Sequence, residues 1–166
     1  IYLLVQLSTL VLGIGNSLLT DEGAGIHVIH HLANQFPDYP HCTFVDGGTL
    51  SFTLAGLVAD HDCLIVIDAA RVGGSPGTVV CFEQEKMDIY LTGNRRSVHE
   101  VGLVDLLDIA RLSDHYPKKR ALIGIEPESI AWGELPSAKV MPAISEAADS
   151  VMALMERWGA QSCTTI

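Results

Sequence analysis

Three residues far apart in the chain carry side chains suited to holding a divalent ion: Glu22, Asp68 and His99. Each lies where an apolar run of strand length gives way to a turn or a helix start. In open α/β sheets, ligands bind at the carboxyl ends of the strands. The first run passes into Gly13-Ile14-Gly15-Asn16-Ser17-Leu18-Leu19-Thr20-Asp21-Glu22-Gly23, and a second is followed by Asp46-Gly47-Gly48-Thr49. Leu64-Ile65-Val66-Ile67 ends in Asp68, and Ser97-Val98-His99-Glu100 has the form of a capping box, which sets His99 in the first turn of a helix. Singly, each has an ordinary structural use. Glu22 near a helix start complements the dipole; Asp68 could cap the loop that follows it; His99 is one of seven histidines and reads alone as a surface residue. Jointly, two carboxylates and an imidazole leave coordination positions open for water or substrate. Such donors suit borderline ions such as nickel or zinc better than thiophilic metals.

Other chemistries have less support. Gly13-x-Gly15 resembles the start of a dinucleotide fingerprint, but Leu18 occupies the third glycine position. A tight strand-to-loop turn explains those glycines, and a nucleotide-binding module or small-molecule hydrolase is disfavoured. There is no G-x-S-x-G elbow. Cys42, Cys63, Cys81 and Cys163 show neither C-x-x-C spacing nor an evident histidine partner. Cys63 and Cys81 lie in apolar runs, where a buried thiol is the default. His30 and His31 point about 100° apart on a helix, while His27 and His31 fall mid-helix, away from the strand ends. All three are read as surface or packing residues.

The elements that must position these residues follow from apolar periodicity. Runs of strand length occupy 9–14, 42–45, 63–67, 78–82 and 121–125. Between them, Ile26, Ile29, Ala33 and Phe36 share one helical face, as do Leu103, Leu106, Leu107 and Ala110. The last helix carries Ile144, Ala147, Ala148, Val151, Leu154, Met155 and Trp158, with Pro142 at its start and Gly159 placed to end it. Alternating strands and helices predict a three-layer α/β/α sandwich around a mostly parallel, twisted, five-stranded sheet, phosphorylase/hydrolase-like in class. The link from Asp68 to Thr78 is too short for a crossover helix, so the strand at 78–82 is expected to be antiparallel or at an edge.

At 166 residues and 17.9 kDa, with 48% hydrophobic residues, the chain has the length and apolar content of one domain with a sizeable core. Its motif-bearing part spans about 9–159, with 1–8 and 160–166 as extensions. Ten basic residues against twenty acidic give a net charge of −10. That balance repels phosphate backbones and speaks against nucleic acid. No apolar run reaches the length of a membrane span, and the apolar opening lacks a basic n-region and a cleavage site. A cytoplasmic monomer is expected.

Several motifs together resemble one family. The run from Val11 to Glu22 resembles the N-terminal signature of the hydrogenase maturation endopeptidases. Asp46-Gly47-Gly48-Thr49, Ile67-Asp68-Ala69, Ser97-Val98-His99-Glu100-Val101-Gly102-Leu103 and Gly124-Ile125-Glu126-Pro127-Glu128-Ser129 are similar to its later motifs, in the same order. The resemblance implies that Glu22, Asp68 and His99 are the metal ligands and that the metal is nickel carried by the substrate, with zinc or cadmium able to take its place. It implies as substrate the large-subunit precursor of a [NiFe] hydrogenase, trimmed at its C-terminus after nickel insertion, by an aspartic-type or metal-assisted endopeptidase. Asp46 is then a candidate for orienting water or the substrate chain, with Gly47, Gly48 and Thr49 as substrate-binding residues. The competing expectation is a nickel-sensing chaperone that binds the same precursor without cutting it.

Overall fold

The computed structural model describes residues 2–4, 6–49, 52–93, 98–161 and 163–165, with side chains described for 6–49, 52–93 and 102–159. Strands β1 (Tyr2–Leu4), β2 (Thr9–Gly13), β3 (Cys42–Asp46), β4 (Cys63–Ala69), β5 (Val79–Glu83), β6 (Lys119–Ile125) and β7 (Cys163–Thr165) alternate with helices α1 (Ala24–Gln35), α2 (Leu54–Ala59), α3 (Glu85–Thr92), α4 (Val98–Leu112) and α5 (Met141–Gln161). Five strands form one sheet in the order β3-β2-β4-β6-β5. All neighbours are parallel except β5, which runs antiparallel to β6 at the edge. The expectation for 78–82 is met on both counts. The link from β4 to β5 crosses the end of β6 without a helix, so it can only return the chain in the opposite sense.

β2 and the first six residues of β4 are buried throughout, which is why both read as unbroken apolar runs: helices cover each face of the sheet. Side chains then divide by the two-residue period of a strand. Val11, Cys63, Ile65, Ile67, Ile123 and Ile125 join the core beneath α1 and α5. Leu10, Leu12, Leu64, Val66 and Leu122 join the core beneath α2, α3 and α4. Leu103, Leu106, Leu107 and Ala110 all face inward, as does every residue assigned to the inner stripe of α5.

Two expectations are corrected. Ala33 is exposed and Leu32 takes its place, with Val28, in the core. α1 packs against both the sheet and α5, so the buried stripe is wider than one strand-facing row and is centred on the larger side chains. α5 continues through Gly159 to Gln161; glycine costs a helix about 1 kcal/mol and does not by itself stop it. The segments treated as extensions contain β1 and β7, which pair antiparallel with each other, Leu4 opposite Cys163.

Candidate functional site

The chain leaves β2 at Gly13, turns through Gly15 and enters a 3-10 turn, Thr20–Gly23, that leads directly into α1. Two glycines permit this path. Gly15 has φ of +140°, and a Cβ there would overlap the Glu22 carbonyl oxygen. A Cβ on Gly25 would overlap the carbonyl oxygen of Ile67, so α1 starts in direct contact with the end of β4. The amide of Ile14 donates to that same Ile67 oxygen at 3.0 Å. Glu22, half-buried in the 3-10 turn, is thereby held beside the carboxyl ends of β2 and β4.

Its neighbour Asp21 points the other way and is fully buried. The carboxylate accepts from the amides of Glu128 and Ser129 at 2.8 and 2.9 Å, from the amide of Ser137 at 2.7 Å and from the Ser137 hydroxyl at 2.8 Å. Burial pushes its pKa up, but those donors outweigh burial and hold it below the ordinary carboxylate value. Thr20 adopts φ of +53°, unfavourable for a β-branched residue. Its amide is fixed to Gly133 O at 2.8 Å, Gly133 N–H returns to Leu18 O at 2.9 Å, and its hydroxyl donates to Ala131 O. The turn bearing Glu22 and the loop 128–137 form one hydrogen-bonded unit.

Asp68 is 1% exposed. Strand alternation carries it, with Leu64 and Val66, to the face covered by α4. His99 lies in the first turn of α4, on that same face; its side chain lies outside the described residues. Glu22 follows β2 and Asp68 nearly ends β4. From β2 the chain goes to β3 on one side and then to β4 on the other. The two carboxylates therefore flank the topological switch point, where open α/β sheets bind their ligands. The donor chemistry present, two carboxylates with a histidine-bearing helix start alongside, fits a borderline divalent ion. Among the described residues, which leave out the His99 side chain, there is no cluster of three or more His, Cys, Asp or Glu side chains able to hold an ion.

Asp46 ends β3 on the opposite face of the sheet. Cys42 and Phe44 of that strand pack toward α1 and α5, and Asp46 follows them to meet His30 of α1, Oδ2 to Nε2 at 3.2 Å. Its Oδ1 accepts the Gly48 amide at 3.0 Å. Gly47 N–H donates to Gly13 O and Gly15 N–H to Gly48 O, both at 2.8 Å, so the Asp46-Gly47-Gly48-Thr49 segment is laced to the first motif with Thr49 exposed. The structure thus sets the turn that carries Glu22 against β4, the strand that carries Asp68, and turns Asp46 to His30 and its own loop. His27, placed mid-helix by the sequence, is in the first turn of α1, which begins only at Ala24. Burial, with His30 nearby, depresses its pKa, and the Glu134 backbone acts weakly the other way.

Two residues with positioning roles had no role assigned from sequence. Asp21 was hidden beside Glu22, because adjacent acids in a turn look alike until their distant partners are known. Glu126, 6% exposed just after β6, accepts from the Val72 and Gly73 amides at 2.6 and 3.3 Å and from Arg71 at 3.2 Å. It holds the link that leads to antiparallel β5. Cysteine chemistry is disfavoured at the described thiols: burial drives Cys42 up to about 12 and Cys81 up to about 11, far from the thiolate a nucleophile needs.

Residues 26–158 match the family model described as hydrogenase maturation protease. The hydrogenase 2 maturation protease of Escherichia coli K12 is 36% identical over 158 residues, covering 92% of this chain and 93% of that one. The hydrogenase expression/formation protein HupD of Rhizobium leguminosarum is 34% identical over 151 residues, 90% of this chain and 75% of that one. Among solved structures, the hydrogenase maturating endopeptidase HybD from E. coli superposes with a TM-score of 0.83 at 33% identity, covering 92% and 94% of the two chains. HybD from Thermococcus kodakarensis superposes with a TM-score of 0.77 at 28% identity, covering 89% and 99%.

Proposed function

This chain belongs to the hydrogenase maturation protease family, and from that premise we propose that it is an endopeptidase that removes the C-terminal extension of a [NiFe]-hydrogenase large-subunit precursor once nickel has been inserted. The observation that supports this reading is the seating of the Glu22 turn against β4, near whose end Asp68 lies, with the His99-bearing turn of α4 on the Asp68 face. Two carboxylates and an imidazole offered from three separate elements form an incomplete coordination sphere. The nickel already held by the precursor completes it. Recognition and activation are then one event, because a precursor without nickel has nothing for these residues to bind.

Such an ion supplies Lewis-acid polarisation at the scissile carbonyl or at a water. The protein supplies position. Gly15 and Gly25 let the Glu22 turn sit against β4, and Asp21 fixes that turn from beneath. Asp46 acts as a positioning residue for the Gly47-Gly48-Thr49 segment, which lines the approach to the rim for the substrate chain; a direct part in the chemistry does not suit a carboxylate turned toward α1 and paired with His30. The test is to incubate purified nickel-loaded precursor with the protein and with His99→Ala, and to follow precursor mass. Wild type should shorten the precursor and His99→Ala should not. A precursor bound by wild type but left at full length would indicate a nickel-sensing chaperone instead.

A further inference from the structure

Solvent-facing apolar side chains are unevenly placed at the rim. Ile130, Trp132 and Leu135 are 61%, 82% and 69% exposed on the loop 128–137, and Leu18 is 48% exposed on the segment bridged to it. Scattered exposed apolar residues are normal, but grouping on adjoining segments marks an interaction surface, and tryptophan is the residue most enriched in interface hot spots. The loop is not slack. Asp21 grips its two ends, at Glu128–Ser129 and at Ser137, while Leu18 and Thr20 bridge its middle at Ala131 and Gly133. A surface ordered in advance loses little conformational entropy on docking.

We propose that Leu18, Ile130, Trp132 and Leu135 form the docking surface for the folded body of the large-subunit precursor, set at a constant distance from Glu22 by the Asp21 carboxylate. This rests on the proposed function. The occupant follows from continuity: Leu18 and Glu22 are four positions apart in a turn held by the Leu19 N–H to Asn16 O and Glu22 N–H to Leu19 O bonds, at 3.1 Å each. A protein that brings a peptide bond to Glu22 must lie over the neighbouring rim. Protein–protein recognition needs about 800 Å² from each partner, more than a short tail in the cleft can offer, so the precursor's body must cover surface beside the cleft. The apolar rim is that surface.

The test is the triple variant Ile130→Ser/Trp132→Ser/Leu135→Ser, whose side chains are exposed and whose loop keeps every Asp21 bond. Affinity for nickel-loaded precursor is measured by titration calorimetry, and trimming is measured across precursor concentrations. Leu112→Ser, at the far end of α4 and 90% exposed, serves as the control. The surface predicts binding weakened at least about tenfold in the triple variant, a raised KM with kcat retained, and no change in the control. Wild-type affinity in the triple variant overturns the surface and leaves the protease reading intact. If wild type binds without trimming, cleavage fails while loss of binding in the triple variant still supports the surface. If wild type neither binds nor trims, both are overturned.

Discussion

Asp21 and Glu22 are adjacent acids with opposite duties. Asp21 is buried and accepts four hydrogen bonds from residues more than a hundred positions away; Glu22 remains at the rim. Asp21→Ala leaves three amides and a hydroxyl unsatisfied in a buried place, a loss of about 3 kcal/mol, read as a lowered denaturation midpoint. Glu22→Gln keeps size and most hydrogen bonding but removes the charge offered to a divalent ion. Its melting temperature should stay within a few degrees of wild type, while trimming of nickel-loaded precursor falls at least about 100-fold, since even losing a partner behind a ligand costs 10- to 100-fold. Wild-type trimming by Glu22→Gln would remove Glu22 from the ligand set.

At the scale of elements, the site depends on how closely α1 approaches the sheet. Gly25→Ala forces a methyl into the Ile67 carbonyl oxygen, and α1 must shift with the turn that carries Glu22. Overpacking of this kind costs about 1–3 kcal/mol; unfolding in urea should show it, and trimming should fall with it. The other face has its own clamp. Arg120 is 9% exposed; its guanidinium pairs with Asp88, reaches Pro117 O at 3.3 Å and lies 4.6 Å from the Tyr116 ring centroid. Arg120→Met removes the charge but keeps the stem, leaving Asp88 to face Tyr116 without its cation. With Asp88 partly open to water, the expected loss is about 2 kcal/mol, or a melting temperature lower by about 4–8 °C in a chain of this size.

For the whole molecule, acid should destabilise in two stages. Burial and His30 depress His27 below its ordinary 6.5, so the unfolded chain takes up that proton first. Stability is full above 6.5 and declines as pH falls toward the depressed folded value. Asp88 is lowered from 3.8, chiefly by the Arg120 hydrogen bond, with Tyr116 and Arg111 also acting and burial opposing. Its contribution is full above the unfolded carboxylate value and is lost as pH drops through the lowered folded value. Melting temperatures should be level from pH 8 to about 7, decline gently below 6.5, and fall steeply below about 4. In His27→Gln the gentle stage should vanish and the steep one remain.

The strands, the inner faces of α4 and α5 and the reversed β5 were legible in the sequence because they rest on local facts: apolar period, β-branched runs, and a link too short to hold a crossover helix. The placement of the Glu22 turn and of Asp68 at the same rim was legible too, since strand ends gather on one rim of a parallel sheet. Direction was not. Whether Asp21 or Glu22 turns inward, whether Asp46 looks toward α1 or α4, and whether Leu32 or Ala33 meets the core depend on partners such as Ser137, His30 and α5. Adjacent residues in a turn differ by a rotation about the backbone, and the hydrogen bonds that choose between them come from segments that only folding brings into reach.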